Sequence, residues 1–240
     1  MIGYAMGFDR MLRYCAALEA HNDRAWFHDE ANHALYTHAR QDFDSLVETL
    51  CFRIASLATP DLAEKLLFAD AKKLLYRIPR DMRTNRGKPP YNPRWAADLS
   101  GDRHSVLPVG YYVHIQPGGR TFFGTGAWCE DAETLLNVRS YLSEHFDRFA
   151  DALERCGCPL TGDRLKNVPR GFDPADPAAD YLKYKDWLVS RSFADGELTS
   201  FGRFADDAAA AAERMEPLRC FFNDALSQKK RSPWVPSDWE

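Results

Sequence analysis

Two strand-like segments joined by a tight turn restrict the fold of this chain more than any other part of it. Residues 109–116 (VGYYVHIQ) and 120–128 (RTFFGTGAW) have the composition of strands, and Pro117-Gly118-Gly119 between them supplies the turn. This pattern predicts an antiparallel hairpin. Gly124 and Gly126 fall within the second strand, where glycine indicates a bulge or a close approach by another backbone or a ligand.

Helical patterns flank the hairpin on both sides. Apolar residues at helical spacing predict helices over residues 8–20, 29–56, 131–153 and 204–226, the third capped by Asp131. Residues 72–78 are interpreted as a further strand, with Leu74, Tyr76 and Ile78 on one face. Helices precede and follow the strands without alternating with them. The fold class is therefore predicted as α+β: an antiparallel sheet with a central hairpin, packed by N- and C-terminal helices.

The chain of 240 residues contains neither an internal repeat nor a clear linker. We expect a single α+β domain over residues 1–228 and a frayed tail over residues 229–240. No run of about 18 apolar residues and no apolar leader is present, so a cytoplasmic protein with no membrane partner is expected. The six cysteines contain no C-x-x-C pair, which disfavours a zinc knuckle or a disulfide framework. The sequence leaves the cofactor and the oligomeric state open.

Positive charge is concentrated in one segment of an otherwise acidic chain. The net charge is −4, yet residues 72–94 carry +7 and the remainder −11. The basic residues of that segment are Lys72, Lys73, Arg77, Arg80, Arg83, Arg86, Lys88 and Arg94, and its only acidic residue is Asp81. Such a concentration is typical of a specific anion site rather than of a diffuse steering field. A solvated basic loop is the alternative.

The spacing within this segment predicts the ligand contacts. Arg77, Arg80 and Arg83 present planar forks that match phosphate or carboxylate oxygens. Lys88 adds a point charge, and Tyr91 a hydroxyl. The surrounding cations should depress the pKa of Asp81, which makes it a poor general base and suits it to orienting Arg80 or Arg83. A buried structural Arg–Asp network is the competing interpretation.

Four further residues extend the predicted site. Lys166 and Arg170 join the ligand contacts if the fold brings them to the first basic segment. Tyr112 and His114 lie two residues apart on a strand, so both face the same side and could supply a proton donor and acceptor. His114 and Tyr91 are the candidates for a catalytic role, which is otherwise unknown. No metal site is expected, because His28, His33 and His38 at five-residue spacing do not share one helical face.

The basic segment also resembles a known family. Residues 77–91 match the pattern R-x-x-R-D-x-R-F-x-x-x-K-x-x-Y of the bacterial family called domain of unknown function 2461, except that Thr84 replaces Phe. The segment with Asn22, Trp26 and Phe27 is similar to the N-terminal part of that family, and residues 110–112, 124–128, 165–172 and 182–185 are similar to its hairpin and C-terminal basic segments. The resemblance implies a single-domain bacterial protein and no defined activity.

Three functions therefore remain in view. The first is binding of a small phosphorylated or carboxylated ligand in a pocket rich in Arg and Lys, with phosphoryl or nucleotide chemistry as the natural class if there is turnover. The second, less favoured, is a nucleic-acid-binding module. The third is a non-catalytic structural or partner-binding protein with an internal Arg–Asp network. Whether the protein is an enzyme is left open.

Overall fold

A computed structural model describes residues 6–101, 107–129 and 131–228. Its helices are α1 (Met6–Ala20), α2 (Arg24–His28), α3 (Glu30–Ala55), α4 (Pro60–Phe68), α5 (Ala71–Leu74), α6 (Ala132–Glu144), α7 (Phe146–Cys156), α8 (Ala179–Leu182) and α9 (Phe201–Ser227), with a 3-10 turn at Asp195–Glu197. Its strands are β1 (Trp95–Leu99), β2 (Tyr111–Ile115), β3 (Thr121–Ala127), β4 (Leu160–Thr161) and β5 (Trp187–Phe193). The predicted α+β class, with helices on both sides of the strands in sequence, is confirmed.

The five strands form one antiparallel sheet in the order β1-β2-β3-β5-β4. The predicted hairpin is β2 and β3, and Gly118 and Gly119 between them adopt the positive φ angles of 82° and 69° that the turn requires. In the β1–β2 register, Ala96 lies opposite His114 and Asp98 opposite Tyr112. The alternate residues of β2 face the core, where the Tyr111 hydroxyl donates to the Ala212 carbonyl at 3.1 Å.

Backbone proximity explains the glycines of β3. A Cβ atom at Gly124 would lie 2.3 Å from the carbonyl oxygen of Val189, and one at Gly126 would lie 2.0 Å from that of Trp187. Both contacts are far shorter than van der Waals distance. The close neighbour that the sequence indicated is therefore the backbone of β5.

The helix predicted over residues 131–153 is two helices. Asp131 caps α6 by accepting a hydrogen bond from the Thr134 N–H at 2.7 Å, as expected. The backbone then leaves helical geometry at His145, with φ −128° and ψ 37°, and α7 begins at Phe146. Neither glycine nor proline marks this break, so the apolar spacing predicted one continuous helix.

The prediction of a strand over residues 72–78 is wrong in its first half. Asp70 accepts a hydrogen bond from the Lys72 N–H at 3.1 Å and caps the single turn of α5, and extended pairing begins only at Leu75, opposite Ala97. Leu74 and Ile78 are buried, whereas Tyr76 is 38% exposed and does not share their environment.

The described residues divide into two compact units. The first draws on residues 6–101, 111–123 and 191–213, and the second on residues 107–110, 124–129, 131–190 and 214–228. In the first unit, Tyr14, Tyr36 and Phe43 surround the Trp95 ring at centroid distances of 5.5–5.8 Å. The prediction of a single domain remains a prediction, and the tail over residues 229–240 lies outside the described part of the chain.

In the second unit, aromatic packing joins distant segments. Phe149 packs against Tyr181 and Phe221 with ring centroids 5.2 and 5.4 Å apart. Across the described ranges, no helix combines the length and the hydropathy needed to cross a membrane.

Candidate functional site

The basic segment forms two paired arms in the first unit, residues 75–97, which we call the basic finger. Its arms run antiparallel: the Tyr76 N–H donates to the Ala96 carbonyl, the Asn92 N–H to the Ile78 carbonyl, and the Arg80 N–H to the Pro90 carbonyl, all at 2.8–2.9 Å. The four prolines of residues 79–94 therefore lie on a paired frame.

Asn22 fastens the finger at its base. The Asn22 amide nitrogen donates to the Tyr91 carbonyl, and the Asn22 amide oxygen accepts from the Tyr91 N–H, both at 3.0 Å. The side chain thus completes the backbone pairing of Tyr91 as a neighbouring strand would. Two segments that carry the family resemblance are in direct contact here.

Tyr91 is a packing residue in this arrangement. Its side chain is 4% exposed, and its ring stacks on Phe27 with centroids 4.1 Å apart and planes 10° from parallel. Burial raises the pKa of the hydroxyl, against a smaller lowering effect of Arg24. The expected contact of the Tyr91 hydroxyl with a ligand, and its catalytic role, stay predictions.

Asp81 binds Arg83. The guanidinium Nε and Nη2 of Arg83 donate to the Asp81 carboxylate at 2.7–3.2 Å, and the Arg83 N–H donates to it at 3.0 Å. Hydrogen bonds from Arg83 hold the pKa of Asp81 below its usual range, which confirms the predicted direction. The pair is exposed, the Arg83 side chain by 89%. It is an orienting contact at the surface and not a buried network.

Arg80 and the tip of the finger satisfy backbone groups. Arg80 Nη1 donates to the Pro89 carbonyl at 2.6 Å, which leaves Asp81 to Arg83 alone. Thr84, where the family has Phe, donates through its hydroxyl to the Asp81 carbonyl at 3.2 Å and is exposed. The Thr84 hydroxyl therefore hydrogen-bonds within the turn, where the family has an aromatic ring.

Most cations of the segment have no carboxylate partner. Among the described residues, Arg83 is the only one of the eight basic residues at positions 72–94 that forms an ion pair. Arg77, Arg86 and Lys88 are exposed. Elsewhere in the same unit, Arg10 is bound to Asp42 and Arg120 to Glu19, both at 2.6 Å. The finger is thus a surface of uncompensated positive charge.

The sheet face beside the finger carries a group of rings. Tyr112 lies 5.8 Å from the Tyr76 ring and 5.7 Å from the Phe122 ring, and Phe122 stacks on His114 at 4.8 Å. Alternation along β3 puts Phe122 on the opposite face from buried Phe123. The residues that sequence reasoning missed are Tyr76 and Phe122, and the two-residue period of β2 and β3 was the available signal.

His114 and Tyr112 are shifted away from their charged forms. Burial lowers the pKa of His114, which is 6% exposed, and the nearby charge of Arg94 lowers it further. Its Nε2 lies 2.9 Å from Gln116 Oε1, and its Nδ1 has no hydrogen-bond partner in the described part of the structure. Burial raises the pKa of Tyr112 to about 12. The strand spacing predicted that both side chains face the same side, and their ring centroids lie 6.2 Å apart. Both pKa shifts favour the neutral imidazole and the neutral phenol.

Lys166 and Arg170 belong to the second unit and are exposed. Their contact with the ligand of the finger stays a prediction. The described ranges contain no group of three or more His, Cys, Asp and Glu side chains arranged to hold a metal ion.

Comparison with known proteins yields one match. The family model described as "Conserved hypothetical protein (DUF2461)" matches residues 10–221. No curated protein and no solved structure matches the chain. The matched range includes Asn22, the basic finger, the hairpin and both C-terminal basic segments, so all the residues that carry the resemblance fall within it.

Proposed function

We propose a function on the premise that the chain belongs to the family of conserved hypothetical proteins DUF2461: its basic finger binds a small phosphorylated or carboxylated ligand. One observation carries the proposal. Seven of the eight basic residues at positions 72–94 form no ion pair within the described ranges, on a chain whose net charge is −4. Cations gathered without counter-charges repel one another, and an anionic ligand relieves that repulsion.

Each part of the finger has a task in such a complex. Arg77 and Arg86 offer planar forks, and Lys88 a point charge, to the oxygens of the ligand. Asp81 orients Arg83 by a bidentate contact. Asn22 fixes Tyr91, and with it one arm of the finger, before any ligand arrives. Binding then orders side chains more than backbone.

A melting-temperature screen with nucleotides, sugar phosphates and dicarboxylates tests the proposal. We expect some of these compounds to raise the melting temperature of the wild-type chain by clearly more than that of Arg77→Gln/Arg86→Gln/Lys88→Gln. Arg13→Gln removes an exposed arginine of the same unit that is bound to Asp9 and should leave the effect intact. A panel that stabilises neither chain, or both equally, contradicts the proposal.

A second candidate is single-stranded nucleic acid. It is favoured by the exposed tip of the finger and by the Tyr76, Tyr112 and Phe122 rings on the sheet face beside it, since unpaired bases stack on such rings. Affinity for an oligonucleotide should then fall steeply with salt, whereas binding of a small ligand at the finger should survive moderate salt. A salt titration of both probes separates the two candidates.

A further inference from the structure

Two arginines are buried in the second unit, and they differ in one respect. Arg219 is 1% exposed, and its guanidinium donates two hydrogen bonds of 2.7 Å to the Glu216 carboxylate and one of 2.7 Å to the Val109 carbonyl. Arg139 in α6 is 7% exposed, and its one hydrogen bond runs from Nη2 to the Tyr184 carbonyl at 2.9 Å. Arg219 has a counter-ion, and Arg139 has none among the described residues.

The Nε–H of Arg139 is also without a partner. It is buried and has no hydrogen-bond acceptor among the described residues, although Nε and Nη2 together form the edge that binds a carboxylate or phosphate through two parallel bonds. An arginine does not escape this situation by losing its proton, because guanidinium remains charged in proteins. A buried charge is normally paired, since leaving it alone costs several kcal/mol.

The surroundings of Arg139 are suited to an anion. Tyr184 lies between Lys183 and Lys185 in a segment that pairs with residues 163–165, and Arg164 lies over the Tyr184 ring at 4.6 Å. Two nearby acids have other partners and form no ion pair with Arg139: Asp180 binds Lys183 at 2.7 Å, and Asp186 accepts the Cys129 N–H at 3.1 Å. Lys185 and Lys166 are exposed and follow Tyr184 and Leu165 directly in the chain.

We propose that Arg139 is the centre of a second anion site, independent of the basic finger, in which Nε and Nη2 bind the oxygens of a carboxylate or phosphate group. Tyr184 holds the guanidinium in place through its carbonyl. Lys166 and Lys185 attract the anion from the surface. We call this the Arg139 site.

Inorganic phosphate is the probe. The starting protein is the triple variant Arg77→Gln/Arg86→Gln/Lys88→Gln, the background of this experiment, because these substitutions remove three cations of the finger. At tenfold the dissociation constant and constant ionic strength, we expect the melting temperature of this background to rise by about 3 to 6 °C. Adding Arg139→Met should abolish the rise, whereas adding Arg155→Met, an exposed arginine bound to Asp151, should keep it. Acetate in place of phosphate tells whether a carboxylate serves as well.

Cys129 supplies a local readout that needs no change at Arg139. The thiol is half-buried; burial and the charges of Asp186 and Asp131 raise its pKa, and the positive charge of Arg139 lowers it by a smaller amount. A bound anion cancels that charge, so phosphate should slow alkylation of Cys129 in the triple variant. If Arg139→Met fails to fold, Arg139→Lys, which keeps the charge but not the fork, should weaken the effect.

Two results overturn the proposal: phosphate leaves both the melting temperature and the Cys129 rate of the triple variant unchanged, or Arg139→Met retains the full effect. Failure of the finger is a different result, in which the triple variant and the wild-type chain respond identically to the ligand panel.

Discussion

At the scale of single residues, Asn22 connects two parts of the chain that are 69 positions apart. Its amide satisfies both the N–H and the carbonyl of Tyr91. Removing that amide leaves two partly buried backbone groups without partners, and the cost of an unsatisfied group exceeds the net gain of an ordinary hydrogen bond.

We predict that Asn22→Ala lowers the free energy of unfolding by about 1–3 kcal/mol. Urea denaturation measures the loss. Asn85→Ala is the matched control: among the described residues the Asn85 amide bonds only to Asp81 and Thr84 at the tip of the finger, so the effect should stay within about 0.5 kcal/mol. Equal losses in the two variants would contradict the role of Asn22.

Burial of His114 determines the direction in which the stability of the folded chain changes with pH. Burial depresses its pKa below the ordinary value of 6.5, so the unfolded chain binds the proton more readily than the folded one. The folded state therefore keeps its full stability above about pH 6.5 and loses stability as the pH falls below that value.

We predict that His114→Gln flattens the fall in unfolding free energy between pH 7.5 and pH 5. Denaturation at a series of pH values measures it. His28→Gln, at an exposed position, should follow the wild-type curve. A wild-type curve that is already flat over this range would exclude a buried, neutral His114.

At the scale of secondary-structure elements, the β3–β5 pair depends on the two glycines of β3. The carbonyl oxygens of Val189 and Trp187 occupy the space that side chains would need. The neighbours are backbone atoms, which cannot turn aside as a flexible side chain does.

We predict that Gly126→Ala costs about 3 kcal/mol of unfolding free energy, because overpacking forces the strands apart. Gly202→Ala provides the comparison: no atom lies within 4 Å of the new methyl group at this exposed position in α9, and alanine favours a helix. Thermal denaturation of both variants should show opposite or clearly unequal shifts.

Apolar spacing in the sequence predicted the long helices and the hairpin correctly, but it did not predict local breaks and turns of the backbone. The hairpin and helices α1, α3 and α9 follow from apolar spacing and turn residues. The break at His145 has no glycine or proline to announce it. The single turn of α5 depends on the Asp70 cap and was hidden by alternating apolar residues. For the finger, the charges were visible in the sequence, but its paired arms depend on contacts distant along the chain.

At the scale of the whole molecule, both compact units are built from several chain segments. Strand β3 has residues in each unit, and so does β5. No single cut in the chain separates one unit from the other, which is the arrangement expected of a chain that folds as one cooperative body.

We predict a single unfolding transition, in which near-ultraviolet and far-ultraviolet circular dichroism change at the same temperature. Coincident curves would support the prediction of one domain. Two resolved transitions would show that the units unfold separately.

The paired arms of the basic finger also bear on how the protein responds to proteases. Arg83 and Arg86 lie at an exposed tip, where trypsin cleaves most readily. The arms on either side of that tip remain joined through Tyr76–Ala96 and Asn22–Tyr91. A nicked chain should therefore stay together as one native particle and separate into two fragments only in denaturant, and an anion seated on the finger should delay the first cut.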